Sequence, residues 1–299
     1  MKVDMFISSL LNGINIGSIY ALIALGYTMV YGIAKMLNFA HGDVIMIGGY
    51  ILFTLAMDKS FPFKIPVYVA IIAAMLFCAV LGVVIEKVAY KPLRNTSSLT
   101  VLITAIGVSY LLQNLALVVF GPEAKAFTSV VPESLNIKTE NLKITGETIV
   151  TVVVTIVIMI VLTLFVNKTK TGRAMRAVSE DKGAAQLMGI NVNKTISITF
   201  AIGSLLAAVA AVLLCSKYLQ VSSVTGQMPG IKAFTAAVFG GIGSVPGAMI
   251  GGLVLGIIEA FGGTYISTEL ANAIVFSVLI IVLLVKPTGL LGKKTNEKV

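Results

Sequence analysis

Ionisable side chains are sparse in the apolar stretches of this chain, and each one there is a candidate for function, because a charge inside a membrane is expensive to keep. His41, the sole histidine, stands two residues before Asp43, with Gly42 between them. The pair reads in two ways: as packed polar groups that satisfy the backbone around Gly42, or as groups that gate or line a pathway. Metal binding would need more ligands than the neighbourhood offers. Asn38, just upstream, is expected to cap the following helix through its side-chain oxygen, or else to contact a substrate. Glu259 faces a cavity or snorkels to the membrane interface, with the interface favoured.

A second concentration of chemistry is basic. Between Thr171 and Asn191 the chain reads as a short amphipathic helix punctuated by Gly172 and Gly189. Arg173 and Arg176 form a polar stripe, and Ala174, Ala177, Ala184, Ala185, Leu187 and Met188 supply a side of mostly small apolar residues. A basic loop that only anchors topology explains the arginines but not the alanines, whereas small residues permit close docking of a partner. No Gly-x-x-x-x-Gly-Lys-Ser/Thr stretch is present, so no nucleotide cofactor is expected on this chain.

The elements that must position these residues follow from composition. Of the 299 residues, 57% are hydrophobic and only 12% charged, against about 25% charged in an average soluble domain, and mean hydropathy is +0.99. A lipid bilayer has to cover most of such a surface. The formal charge of +9 does not indicate nucleic acid, since the basic residues sit between apolar segments without interleaved aromatics. Cys78 and Cys215 lie inside apolar runs and read as small hydrophobes. The first apolar stretch exceeds a signal-peptide core and has no convincing cleavage site, so it is expected to be retained.

Crossing a hydrocarbon layer of ~30 Å takes roughly 20 apolar residues. Six clear runs of that order lie at 6–29, 66–86, 99–120, 148–167, 195–216 and 270–287. Two more, at 38–57 and 231–262, are glycine-rich, and the second is interrupted around Gly243 and Pro246. Both read as broken or re-entrant helices, which a membrane tolerates only where protein or a water-filled cavity satisfies the backbone. The expectation is an all-α integral membrane protein forming one transmembrane domain over 1–299, with about eight hydrophobic segments.

Lys and Arg excess marks cytoplasmic loops. It assigns 87–98, the coupling loop 168–194 and the C-terminal tail with Lys286, Lys293, Lys294 and Lys298 to the inside, and the charge-balanced segments 58–65 and 121–147 to the outside. Returning to the inside after 194 requires an even number of crossings, so 231–262 contributes zero or two, the latter as short spans hinged at Pro246. If Lys2 is also inside, 38–57 makes no net crossing, and both termini are expected to be cytoplasmic. Met46-Ile47-Gly48-Gly49 recurs as Met249-Ile250-Gly251-Gly252, which suggests an internal repeat between the two broken segments.

Three separated motifs carry a family resemblance. Gly172-Arg173-Ala174-Met175-Arg176-Ala177 with Ala184-Ala185 and Gly189-Ile190 resembles the coupling-helix region of permease subunits of branched-chain amino acid ABC importers. Met36-Leu37-Asn38-Phe39-Ala40-His41-Gly42-Asp43 is similar to that family's Asn-Phe-Ala-His-Gly signature, with Asp43 where Glu is as common. Gly240-Gly241-Ile242-Gly243-Ser244-Val245-Pro246-Gly247-Ala248 completes a match running from about residue 9 to 290.

The resemblance implies a bacterial inner-membrane protein that works with a second permease subunit, identical or homologous, two ATP-binding subunits and an extracytoplasmic solute-binding protein. Asn38, His41, Gly42, Asp43, Gly240, Gly241, Gly243, Pro246 and Glu259 are the candidates for the translocation pathway, because polar residues and broken helices at membrane depth are where transporters place ligand contacts. Branched-chain amino acids are the implied cargo; other amino acids, urea or short amides fit the same architecture. The glycines of 240–252 serve close helix packing, pathway lining or both. An ion-coupled secondary transporter would need a coupling site among the intramembrane carboxylates, and a channel or scaffold would leave the coupling helix idle.

Overall fold

A computed structural model describes residues 2–58, 65–94, 96–139 and 142–292. Eleven α-helices make up most of it: α1 (Lys2–Ala34), α2 (His41–Ala56), α3 (Val67–Ile85), α4 (Ser98–Phe120), α5 (Gly146–Lys168), α6 (Lys170–Glu180), α7 (Lys182–Leu187), α8 (Val192–Tyr218), α9 (Gln227–Gly240), α10 (Val245–Tyr265) and α11 (Ala271–Val285). A π-helical turn (Glu86–Tyr90) and a 3-10 turn (Lys91–Leu93) extend α3. Among the described residues, strand is confined to the pairs β1 (Lys125–Ala126) with β4 (Gln220–Val221) and β2 (Ile137–Thr139) with β3 (Leu142–Ile144). Among the described residues six helices are long and apolar enough to cross a membrane, and α2 and α11 are shorter apolar helices. The all-α membrane architecture expected from composition is what the chain adopts.

The middle of α1 is buried on all sides, from Ile19 to Leu25. It packs antiparallel on α10 through small residues at intervals of four: a Cβ on Gly13 would approach Ile257 Cα to 2.8 Å and one on Gly17 would approach Leu253 Cα to 2.8 Å, while one on Gly252 would overlap Ala21. Apolar burial cannot drive helix association in lipid, so close backbone approach through such residues supplies the attraction. By contrast α3, α4 and α5 expose Val80, Val118 and Val161 at 65%, 83% and 59%, as outer helices facing hydrocarbon do.

Loops of like charge gather at one end. Lys182 Nζ donates to the Ala34 carbonyl (3.0 Å), Tyr90 Oη to Asn38 Oδ1 (2.9 Å) and Leu291 N to the Gly240 carbonyl (2.9 Å), while Arg94 bonds Asn193. The basic segments 86–94, 169–191 and 286–292 therefore share one end of the bundle. At the other end Lys217 meets Asn12 (2.9 Å), Ser9 meets Thr264 (3.1 Å), β1 pairs with β4, and Thr128 N reaches Met57 Sδ (3.5 Å).

Two expectations change as a result. The start of α1 and residues 286–292 lie at opposite ends of the bundle. Placing Lys2 inside required 38–57, read as a broken helix, to make no net crossing; in fact 41–56 is one continuous helix whose break lies before it, at 35–40, where Lys35 takes φ 57°. The segment 231–262 does break, but at Gly241–Ser244 rather than at Pro246, which occupies the first turn of α10 behind the Ser244 N-cap. It gives two helices, α9 and α10, of which α10 is long and apolar enough to cross a membrane. Lys293, Lys294 and Lys298 and the outer-loop residues Lys59 and Lys64 lie outside the described residues. The repeated Met-Ile-Gly-Gly stretches fall in α2 and α10.

Candidate functional site

With 16 and 14 residues, α2 and α9 reach about 24 and 21 Å at 1.5 Å per residue, short of a full ~30 Å span. Both begin at mid-height. The ring of His41 lies against Gly26, near the Gly203 carbonyl in the middle of α8, and a Cβ on Gly42 would sit 2.6 Å from the Gly226 carbonyl oxygen. From that crossing α2 runs toward Met57 and α9 toward Gly240, in opposite directions. Only glycine allows the two backbones to approach this closely, and two helix N-termini, each with a partial positive charge, face each other there.

Beside the crossing lies a cleft of about 410 Å³ between α2, α4 and α9, lined among others by Tyr27, Gly42, Asp43, Ser109, Gln113 and Gln227. Asp43 is 2% exposed, and its Oδ1 accepts from Gln113 Nε2 at 2.9 Å. The Gln113 amide also reaches Ser109 Oγ at 3.2 Å. Tyr110 and Ile106, 57% and 42% exposed, mark the rim, so the cleft opens on the flank of the bundle.

The structure separates residues that the sequence grouped. His41 and Asp43 do not form a pair: the His41 ring packs edge-on to Tyr27 (centroids 4.7 Å), and its Nε2 has no hydrogen-bond partner among the described residues. Asn38 does not cap α2, whose N-cap is Ala40 without a side-chain bond; its oxygen accepts from Tyr90 instead. Gly42 and Asp43 line the cleft. Gly240, Gly241 and Gly243 lie at the α9–α10 turn, at the basic end, where Gly241 and Gly243 take φ of 102° and 95°. Pro246 opens α10 nearby, and none of the four lines the cleft.

Glu259 does not snorkel. Its Oε1 pairs with Lys232 Nζ of α9 at 2.8 Å and its Oε2 accepts from Tyr20 Oη of α1 at 2.9 Å, with the two charged side chains 14% and 8% exposed. One ion pair thus ties the half-length helix to both of its neighbours. Sequence reading passed over Lys232, although a lone lysine within an apolar run was the available signal. It also passed over Glu86, fully buried and bonded to Arg94 and to Ser197 Oγ (2.6 Å).

The basic segment forms two helices rather than one. Asp181, in extended conformation, ends α6 and caps α7 by accepting from Ala184 N at 2.9 Å. Gly172 is buried in the first turn of α6, where a Cβ would overlap the Phe165 and Val166 carbonyls, and Gly189 follows α7 with φ 80°. Met175, Val178 and Ala185 face the bundle. Arg173, Arg176 and Ala184 are exposed, Ala174 and Ala177 are half-buried, and Leu187 and Met188 project at 90% and 82% exposure.

The chain matches the family model described as "Branched-chain amino acid transport system / permease component" over residues 9–283. It is 45% identical to the high-affinity branched-chain amino acid transport system permease protein LivH of Salmonella typhimurium, over 98% of both chains. Identity is 46% to the Pseudomonas aeruginosa permease BraD and 46% to LivH of Escherichia coli, again over 98% of each chain. No solved structure matches. A bundle of membrane-length helices with a cleft at its flank, matched end to end by these relatives, belongs to the branched-chain amino acid transport system permease family.

Proposed function

We propose that this chain is the permease subunit of an ATP-binding cassette importer for leucine, isoleucine and valine, handed over by an extracytoplasmic binding protein. The basic end faces the cytoplasm, as the positive-inside rule requires, and the start of α1 faces outward. The cleft beside Gly42 and Asp43 forms this subunit's share of the translocation pathway, and a second permease subunit supplies the rest.

The observation that carries the reading is the meeting of two half-length helices at Gly42 and Gly226 beside a polar cleft on the bundle's flank. A flank facing lipid has no use for Asp43, Gln113 and Gln227 at this depth; a pathway shared between two subunits has. The aliphatic substrate side chain would pass Phe39, Leu102 and Ile106 in the same cleft. Leu187 and Met188, exposed at the aqueous end, form the seat of an ATPase, since a projecting apolar tip there calls for a partner. Nucleotide-driven closure of the ATPases would then shift the permease between outward- and inward-facing populations.

The test is reconstitution with the partner permease, ATPases and binding protein in proteoliposomes, followed by labelled leucine uptake. Uptake should require ATP and vanish for Leu187→Asp with Met188→Asp, together with ATPase co-purification. Uptake driven by an ion gradient without ATP, or unaltered co-purification of the double variant, would refute the reading.

A further inference from the structure

At the basic end, away from the cleft on the flank, a second cavity of about 540 Å³ opens between the end of α3, α7 and the start of α8. Lys91, Arg94 and Lys182 line it together with Gln186, Asn191 and Asn193, and no carboxylate is among its lining residues. Three cations from two segments, the turn that extends α3 and the start of α7, thus converge on one space. Glu86, buried behind Arg94, is already held by Arg94 and Ser197.

Glu86 pairs with Arg94, and no carboxylate lining the cavity answers Lys91 and Lys182. Burial, followed by repulsion from Arg94 and Lys35, holds the Lys182 ammonium below the ordinary lysine pKa. Arg94 Nε is buried with no hydrogen-bond partner among the described residues. The 27-residue helix α8 begins on the same wall. Its Asn191 cap satisfies Lys194 N, whereas the first amides of a helix have no acceptor within it, and its dipole adds partial positive charge. Amides, a guanidinium and two ammonium groups around one space are the donors that a phosphate oxygen takes.

We propose that this cavity binds the phosphate of an anionic phospholipid headgroup from the adjoining leaflet and so fastens α7 to the ends of α3 and α8. A soluble phosphate offers the same chemistry, but the lipid fits the surroundings better. Phe77, Val80, Val84 and Val88 form an exposed apolar stripe along α3, at 49%, 65%, 48% and 73%, and their spacing of three and four continues to Lys91. Acyl chains lying along that stripe bring the headgroup to the three cations, where a basic pocket at a membrane edge takes anionic lipid.

The experiment uses the purified full-length chain in neutral detergent and measures binding of short-chain phosphatidylglycerol, short-chain phosphatidylcholine and inorganic phosphate. Phosphatidylglycerol should bind saturably and at least about tenfold more tightly than phosphatidylcholine. Lys91→Gln with Lys182→Gln should weaken it by about tenfold or more, since charge-assisted contacts are lost. Gln186→Glu, which keeps all three cations but adds an anion, should do the same, and the exposed pair Lys168→Gln with Lys170→Gln should change nothing. Unchanged melting temperatures show that the variants fold.

Displacement of the lipid by inorganic phosphate at equal concentration would keep the phosphate site but assign it to a soluble anion. Wild-type phosphatidylglycerol binding in both pocket variants would overturn the proposal. So would its displacement by saturating ATPase subunits, which would make the cavity a protein seat.

Discussion

Replacing Lys232 with Met tests how α9 is held. The ammonium contacts Glu259 Oε1 at 2.8 Å and lies 5.8 Å from the Tyr20 ring centroid, and both charged side chains are nearly excluded from solvent. Removing it leaves Glu259 with only the Tyr20 hydroxyl, and breaking a buried pair from one side costs about 3–5 kcal/mol. Glu259→Met strands the lysine at similar cost. The double Met variant removes both charges and orphans only the Tyr20 hydroxyl, a loss of about 1–3 kcal/mol, so the coupling energy should be at least about 3 kcal/mol. Reversible unfolding in mixed detergent, monitored by circular dichroism across the four-member cycle, measures it. A coupling below about 1 kcal/mol, the size of an ordinary hydrogen bond between helices in a membrane, would refute the assignment of the pair as the tie between α9 and α10.

Gly42→Ala should lower stability by about 1–3 kcal/mol or more, because its methyl would sit 2.6 Å from the Gly226 carbonyl oxygen. Gly107→Ala, where no atom lies within 4 Å, should be neutral or stabilising by up to about 1 kcal/mol; thermal melts of the two variants side by side check the contrast. Tyr90→Phe removes the donor to the buried Asn38 oxygen and should destabilise by about 1–3 kcal/mol in the same unfolding assay.

Much of the architecture was legible because membrane solvation is encoded locally. Long charge-free runs from Val67 onward or Gly146 onward need no tertiary information to be read as spans, since lipid demands that each helix satisfy its own backbone. The basic connectors likewise gather at one end of the bundle, as their composition indicated. What local reading missed was pairwise. Lys232 and Glu259 are 27 residues apart, and neither one's neighbours in sequence reveal the other. Asn38 has the local signature of a helix cap, yet the hydroxyl of Tyr90, brought close by tertiary packing, captures its oxygen.

By itself, the amino-acid sequence determined that this chain lives in a membrane, which connectors share a side, and the family to which it belongs. These follow from composition and spacing along the chain, which folding does not alter. Only the tertiary structure decided that α2 and α9 start from one point at Gly42 and Gly226, that Asp43 faces Gln113 and not His41, and that the start of α1 and residues 286–292 lie at opposite ends. Such facts depend on distances between segments far apart in sequence, and close packing fixes those distances only once every helix has found its neighbours.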